Sequence, residues 1–192
     1  MRRFILASAS PRRKEILESA GYSFDIIVSD ADENITDDLT PDETVEELAK
    51  RKALAVWEDN KDAVVFGCDT VVAIDGKILG KPKDDEEAIE MISSLSGRVH
   101  TVSTGVCICA EDKISVFSNT TEVEFYPLGE ETIKSYVSTG ESRDKAGAYG
   151  IQGFGRVLIK EIKGDYFSVM GLPVSESARV LADFGVYGKI TL

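Results

Sequence analysis

Ala63-Val64-Val65-Phe66-Gly67-Cys68-Asp69-Thr70-Val71-Val72-Ala73-Ile74-Asp75-Gly76-Lys77-Ile78-Leu79 is the stretch on which the fold turns. Both faces of Ala63–Ile74 are apolar, which predicts a long central strand covered on both sides. Asp75-Gly76 is a type-I′ hairpin signal, and Lys77–Leu79 begins the return. A doubly covered strand requires helices on the sheet's faces, and a hairpin makes part of the sheet antiparallel. The expected class is α/β: a mixed twisted sheet with flanking helices.

Working outward, Phe4–Ala7 reads as a buried strand, Ser10–Ala20 as a helix and Tyr22–Ser29 as a second strand. An acidic loop over Asp30–Asp38 follows. Thr40-Pro41-Asp42-Glu43 is a capping box that opens a helix to about Glu58. On the other side, Asp84–Leu95 reads as a helix with acids in its first turn, and Val99–Ala110 with Lys113–Tyr126 as a long hairpin. Glu130–Val137 reads as a short helix, Lys145–Gly155 as a glycine-rich segment and Arg156–Ile162 as a strand. Leu172-Pro173 opens the last helix, whose apolar face is Val174, Ala178, Leu181 and Ala182. No repeat or linker interrupts the pattern, so residues 1–192 read as a single domain.

The chain has 192 residues, 43% hydrophobic and 29% charged, as expected of a soluble globular protein. Its net charge is −12, from 34 acids and 22 bases, which argues against a broad nucleic-acid or anionic-membrane surface. An anionic ligand must therefore meet a local basic pocket, with a divalent cation. Cys68, Cys107 and Cys109 lie in apolar runs without metal-ligand spacing and read as buried thiols in a reducing cytoplasm. Met1–Ala7 only faintly resembles a leader, because its apolar core is too short, and no segment reaches transmembrane length.

Several charges break the apolar pattern. Asp69 sits inside the central strand, where strand formers disfavour Asp and burial of a carboxylate costs several kcal/mol unless it is partnered. It is either a general base or metal ligand, or a cap on a neighbouring element. Lys52 falls within the stripe Val45, Leu48, Ala49, Ala53 and Val56, so it must snorkel, pair or face a cleft. Ser10 reads as the N-cap of a helix with Pro11 at its first position, so Arg12, Arg13 and Lys14 occupy the first helical turn, where the helix dipole disfavours cations unless an anion sits among them. That turn is either an anion receptor or an ordinary solvated basic turn. Lys81, in Leu79-Gly80-Lys81-Pro82, is aimed by a rigid bend or is simply solvated. Glu33, in Asp30-Ala31-Asp32-Glu33, belongs either to a solvated loop or to an oxygen-ligand site for Mg²⁺ or Mn²⁺. In Gly147–Gly155, glycines frame Gln152, whose amide can meet a base edge; the segment is either a bulged hairpin or a backbone surface for a flat ring. His100 has no nearby acid or nucleophile in sequence, so Ser-His-Asp chemistry is not expected.

Together these segments resemble the Maf family of nucleoside triphosphate pyrophosphatases over nearly the whole chain. The resemblance rests on Ser8-x-Ser10-Pro11-Arg12-Arg13, Glu33, Lys52-Ala53, Gly67-Cys68-Asp69-Thr70-Val71-Val72, Leu79-Gly80-Lys81-Pro82, Leu95-Ser96-Gly97-Arg98, Asp144–Gly153 and Gly164–Pro173. Cys68 stands where the family usually has Ala. The resemblance implies an inosine-triphosphatase-like (Maf/Ham1) fold with two lobes around a cleft, a homodimer, and hydrolysis of a nucleoside triphosphate to the monophosphate and pyrophosphate with a divalent metal. Arg12, Thr70 and Gln152 match positions that mark the dTTP/UTP branch; the 7-methyl-GTP branch is the alternative, and a non-catalytic nucleotide-binding regulator of septum formation is another. On this reading Ser8, Arg13, Lys52 and Lys81 hold the phosphates, Glu33 and Asp69 hold Mg²⁺ or Mn²⁺, Asp69 is the catalytic base, and Gln152, helped by Arg12 and Thr70, reads the base. The partners expected are the nucleotide and a second copy, with no nucleic acid and no membrane.

Overall fold

The computed structural model describes residues 2–35 and 38–190. Thr36 and Asp37, within the acidic loop expected over Asp30–Asp38, lie outside the described residues, as does Met1 of the leader-like start. The chain runs through β1 (Arg3–Leu6), α1 (Pro11–Ser19), β2 (Asp25–Ile26), α2 (Pro41–Glu58), β3 (Ala63–Ile74), β4 (Lys77–Leu79), α3 (Asp85–Leu95), β5 (Val99–Ala110) and β6 (Lys113–Phe125). It continues through α4 (Glu130–Ser138), 3₁₀ turns at Ala146–Ala148 and Gly153–Val157, β7 (Ile159–Lys163), α5 (Tyr166–Val169) and α6 (Val174–Asp183).

The seven strands form one mixed sheet in the order β2-β1-β3-β5-β6-β7, with β4 also on β3. β1 pairs with β3 in parallel, whereas β4 and β5 pair with it antiparallel. The hairpin turn has φ of 52° at Asp75 and 75° at Gly76, the two positive angles that a type-I′ turn requires. The capping box at Thr40 is complete: Thr40 Oγ1 accepts from Glu43 N, and Glu43 Oε2 accepts from Thr40 N.

β1 and β4 share one edge of β3 but do not meet. β1 pairing ends at Leu6 opposite Phe66, and β4 pairing begins at Leu79 opposite Val72. Between them, Gly67–Val71 pair only with β5. Five residues of a central strand thus present an open edge at the carboxyl end of β1, the place where open α/β sheets form ligand crevices.

Side chains of β3 alternate between two covered faces. The odd face meets α2: a Cβ on Gly67 would overlap Ala49 O and Ala53 N, and one on Gly105 would overlap Val45 O. These two glycines let the helix backbone lie directly on the sheet. Ile5, Val65, Ala49, Ala53, Val56, Cys107 and Cys109 form the core there. The even face meets α1, α6 and the turn between α5 and α6 through Phe66, Cys68, Ile16, Leu17, Met170, Leu172 and Leu181. A third cluster gathers β3's distal end, α3 and α4 around Val72, Ile92, Phe125 and Tyr149.

Four local expectations need correction. Only Asp25–Ile26 of Tyr22–Ser29 is strand, because the segment lies at the sheet's rim beside the short β1. The last strand begins at Ile159, since Gly153–Val157 coils into a 3₁₀ turn that absorbs Arg156 and Val157. For the same reason Lys145–Gly155 is two turns, with Gly147 at φ 66° and Gly153 at φ 70°, and not a bulged hairpin. Ser10 stands at the N-cap of α1 without capping it through its side chain; its amide instead donates to Ser8 Oγ at 3.2 Å.

Candidate active site

A cleft of about 650 Å³ opens on the vacant edge of β3, and Ser8, Arg12, Arg13, Glu33, Lys52, Asp69, Thr70, Lys81 and Gln152 all line it. Residues up to 144 positions apart in sequence therefore share one recess (Ser8 to Gln152). Its walls carry five cations, Arg12, Arg13, Lys52, Lys81 and Lys145, against three carboxylates, Glu33, Asp69 and Asp144. A local positive surplus thus exists in a molecule of net charge −12, as anion recognition by an acidic protein demands.

Lys52 does not snorkel. With α2 pressed onto Gly67, its ammonium donates to Asp69 Oδ1 at 2.6 Å and reaches Glu33 Oε1 at 2.8 Å. Lys52 and Asp69 each expose only 14% of the side chain, so both are shielded while Glu33 stays largely exposed. Burial opposes the Lys52 charge, but Asp69 and Glu33 outweigh it and hold its pKa above the ordinary lysine value. The hydrogen bond from Lys52 holds the Glu33 carboxyl below the usual glutamate range, aided by Lys81 and Arg13. The acidic loop is thereby tied to the strand through one ammonium.

Arg13 is built differently. Its Nε donates to Gly171 O at 2.9 Å, Nη1 to Ser8 Oγ at 3.2 Å and Nη2 to Thr70 Oγ1 at 3.1 Å. All three acceptors are neutral, and two of the five guanidinium N–H groups remain for a ligand. Of the three cations in the first turn that α1's dipole disfavours, Arg12 and Arg13 thus face the cleft, while Lys14 turns away to Glu18 at 3.7 Å.

The hydroxyl network fixes what Thr70 can do. Thr104 Oγ1 lies 2.8 Å from Ser168 O, a carbonyl that can only accept, so Thr104 donates to it. In the 2.9 Å contact between Thr70 Oγ1 and Thr104 Oγ1, Thr70 must then donate. Its proton is spent, and it offers acceptor lone pairs alone, one of them to Arg13. Cys68, beside it, donates to Gly171 O at 3.1 Å, and burial pushes its thiol up to about 11, which leaves it inert as a nucleophile.

Thr70 and Cys68 point to the even face and Asp69 to the odd face, yet both faces are reached because the strand's edge is open between them. Lys81 is placed by its bend: Gly147 N donates to Gly80 O at 3.1 Å, which joins the Lys81 turn to the glycine-rich segment. Gln152 lies on the cleft wall at the entrance to the second 3₁₀ turn, and its side chain is not spent on capping that turn.

Sequence reasoning missed Lys145 and Thr104. Lys145 Nζ donates to Glu141 O at 2.6 Å and Asp144 Oδ1 at 2.7 Å; its position just before the glycine run was the available signal. Thr104 is fully buried on β5, and nothing in an apolar strand distinguishes it. His100 is buried at 2% exposure, packed edge-to-face on Phe125 and Tyr149, with Nε2 2.7 Å from Tyr149 Oη. Tyr149 lines the cleft, so His100 backs a lining residue without entering the site.

Among the described residues no group of three or more His, Cys, Asp and Glu side chains could hold a metal. Glu33 and Asp69 nonetheless suit a hard cation brought by a phosphate, because Mg²⁺ typically takes one or two protein carboxylates and completes its shell with phosphate oxygens and water. No helix among the described residues is long and apolar enough to cross a membrane.

The model of the Maf-like protein family matches residues 3–184. A dTTP/UTP pyrophosphatase of Bacillus pumilus is 51% identical over 186 residues, 97% of this chain and 98% of its own length. Proteins of the same name from Bacillus velezensis and Bacillus cereus are each 51% identical, over 96% and 97% of this chain and 98% and 97% of their own.

Proposed function

Because the chain belongs to the Maf-like protein family, we propose that it hydrolyses dTTP and UTP to the monophosphate and pyrophosphate, as the names of its relatives indicate for them. One observation carries this reading: a single cleft joins a positive wall, a shielded carboxylate and an unspent amide. The triphosphate lies along Ser8, Arg13, Lys52 and Lys81, with the two free N–H groups of Arg13 on its oxygens. Asp69 holds Lys52 through Oδ1, and its other oxygen accepts a proton from the attacking water. The water oxygen bonds to the α-phosphorus, the bond to the bridging oxygen of the β-phosphate breaks, and pyrophosphate leaves. Glu33 and Asp69 are the residues that would hold Mg²⁺ or Mn²⁺, which would neutralise phosphate charge and stabilise the leaving group. Gln152, with Arg12 beside the same wall, meets the pyrimidine edge, because a primary amide both accepts from N3–H and donates to a ring carbonyl.

Thr70, beside its part in base discrimination, clamps Arg13 by accepting from Nη2 while its own proton goes to Thr104. Three free, buried cysteines support a reducing cytoplasm as the working compartment, and a homodimer remains the proposed assembly, to be read by sedimentation. The deciding experiment incubates the protein with Mg²⁺ and a panel of dTTP, UTP, CTP, ATP, GTP and 7-methyl-GTP and follows pyrophosphate. Release that is fastest from dTTP and UTP supports the proposal. Preference for 7-methyl-GTP moves the chain to that branch, and binding without release makes it a nucleotide sensor.

A further inference from the structure

Resting on that reading, we infer that Glu141 and Tyr136, neither of which lines the nucleotide cleft, are positioning residues for base recognition. The segment Gly150–Gly155, which carries Gln152, closes around one carboxylate. Glu141 Oε2 accepts from Phe154 N at 2.7 Å, and Glu141 Oε1 accepts from Gly155 N at 3.0 Å. Tyr136 Oη donates to Glu141 Oε1 at 3.2 Å and accepts from Gly150 N at 3.3 Å. Backbone groups on both sides of Gln152 are thereby pinned to two side chains on α4 and just beyond its end.

The fit is close. A Cβ on Gly153 would overlap Glu141 Oε2, and one on Gly155 would overlap Gly150 O. Glycine at 153, at φ 70°, both adopts the left-handed backbone and leaves room for the carboxylate. Burial and the neighbouring Glu141 raise the Tyr136 pKa, so its hydroxyl stays protonated and continues to donate. Gln152 gains no anchor from capping, and its reach into the cleft is set by this backbone ring. The phosphate end of the cleft is held by α1, α2, β3 and the Lys81 bend, which is tied to Gly147 ahead of the ring and not to Gly150–Gly155, so loosening the ring displaces the base reader and leaves the anion clamp intact.

The test separates the two ends of the substrate. For Glu141→Ala, we expect KM for UTP to rise about tenfold or more, with kcat within about threefold, the pattern of lost uniform binding. Inhibition by inorganic tripolyphosphate, which has no base, should stay within about twofold of wild type. Glu141→Gln keeps one of the two accepting oxygens and turns a donor toward the other site, so it should restore part of the loss. Tyr136→Phe removes both the Gly150 contact and the bond to Glu141 Oε1 but leaves the Phe154 and Gly155 amides on Glu141, and should raise KM about threefold or more. Unchanged KM for UTP in a folded Glu141→Ala, or tripolyphosphate inhibition weakening in step with KM, overturns the inference. If Glu141→Ala does not fold, Tyr136→Phe and Glu141→Gln decide alone: KM unchanged in Tyr136→Phe overturns it. A wild-type protein that releases no pyrophosphate from UTP refutes the underlying function instead, before any variant is measured.

Discussion

Lys52 and Arg13 stand on opposite faces of β3 and point into one cleft, yet their charges are handled in opposite ways. Lys52 is neutralised in advance, 2.6 Å from Asp69 and 2.8 Å from Glu33. Arg13 is fixed by a carbonyl and two hydroxyls and keeps its charge. The difference assigns work. An uncompensated guanidinium fork attracts and orients the phosphates, whereas a compensated ammonium keeps two carboxylates together and aimed.

The sharpest way to break this division is Asp69→Asn, which preserves shape and removes the base. Turnover should fall about 10²- to 10⁴-fold, with nucleotide binding by calorimetry largely kept; near-normal turnover removes Asp69 from the chemistry. Next comes His100, which backs Tyr149 on the wall of the same cleft. Burial holds the His100 pKa down at about 4, against 6.5 for a free histidine. Between those values the unfolded chain binds the extra proton, so stability is complete above pH 6.5 and falls as pH drops toward 4, by about 3 kcal/mol in all. Urea unfolding as a function of pH should show this, and His100→Phe should remove most of the slope; an unchanged slope in that variant would exonerate His100.

Two variants with the same charge change sharpen the comparison further. Arg13→Met should lower kcat/KM about 10²-fold, mainly through KM. Lys52→Met should cost about tenfold or more, mainly in kcat, because Asp69 and Glu33 lose the group between them. Steady-state kinetics that show the same split for both would erase the distinction. Smallest is Thr104→Val, which releases the Thr70 proton and loosens the Arg13 clamp. KM should rise about 2- to 10-fold, the range of one or two neutral hydrogen bonds. No change would mean that Gly171 and Ser8 hold Arg13 without help.

The sheet was legible because its signals are local and periodic. β3 matches the apolar run Ala63–Ile74 residue for residue, and α2 begins at its capping box. The charges that violated those patterns, Lys52, Asp69 and the Arg12-Arg13 pair, are the ones now found in the cleft. What the sequence hid was non-local. Nothing in Gly67 or Gly105 announces that a helix backbone rests on them, and Thr104 becomes informative only once Ser168 O is known to face it. Glu141 is one acid among 34; its partners are backbone amides 13 and 14 residues away. Edge strands such as β2 were overdrawn because periodicity cannot tell which residues find a neighbour to pair with.

That Asp69 and Thr70 are successive residues of one strand makes the site unusually intolerant of a change in chain length. Deleting or adding a single residue upstream within 63–68 would exchange the two faces, sending the carboxylate toward Arg13 and the hydroxyl toward Lys52. A scan of one-residue insertions and deletions should therefore find an abrupt gap in function across that window, while the loops at either end of the strand accept such changes.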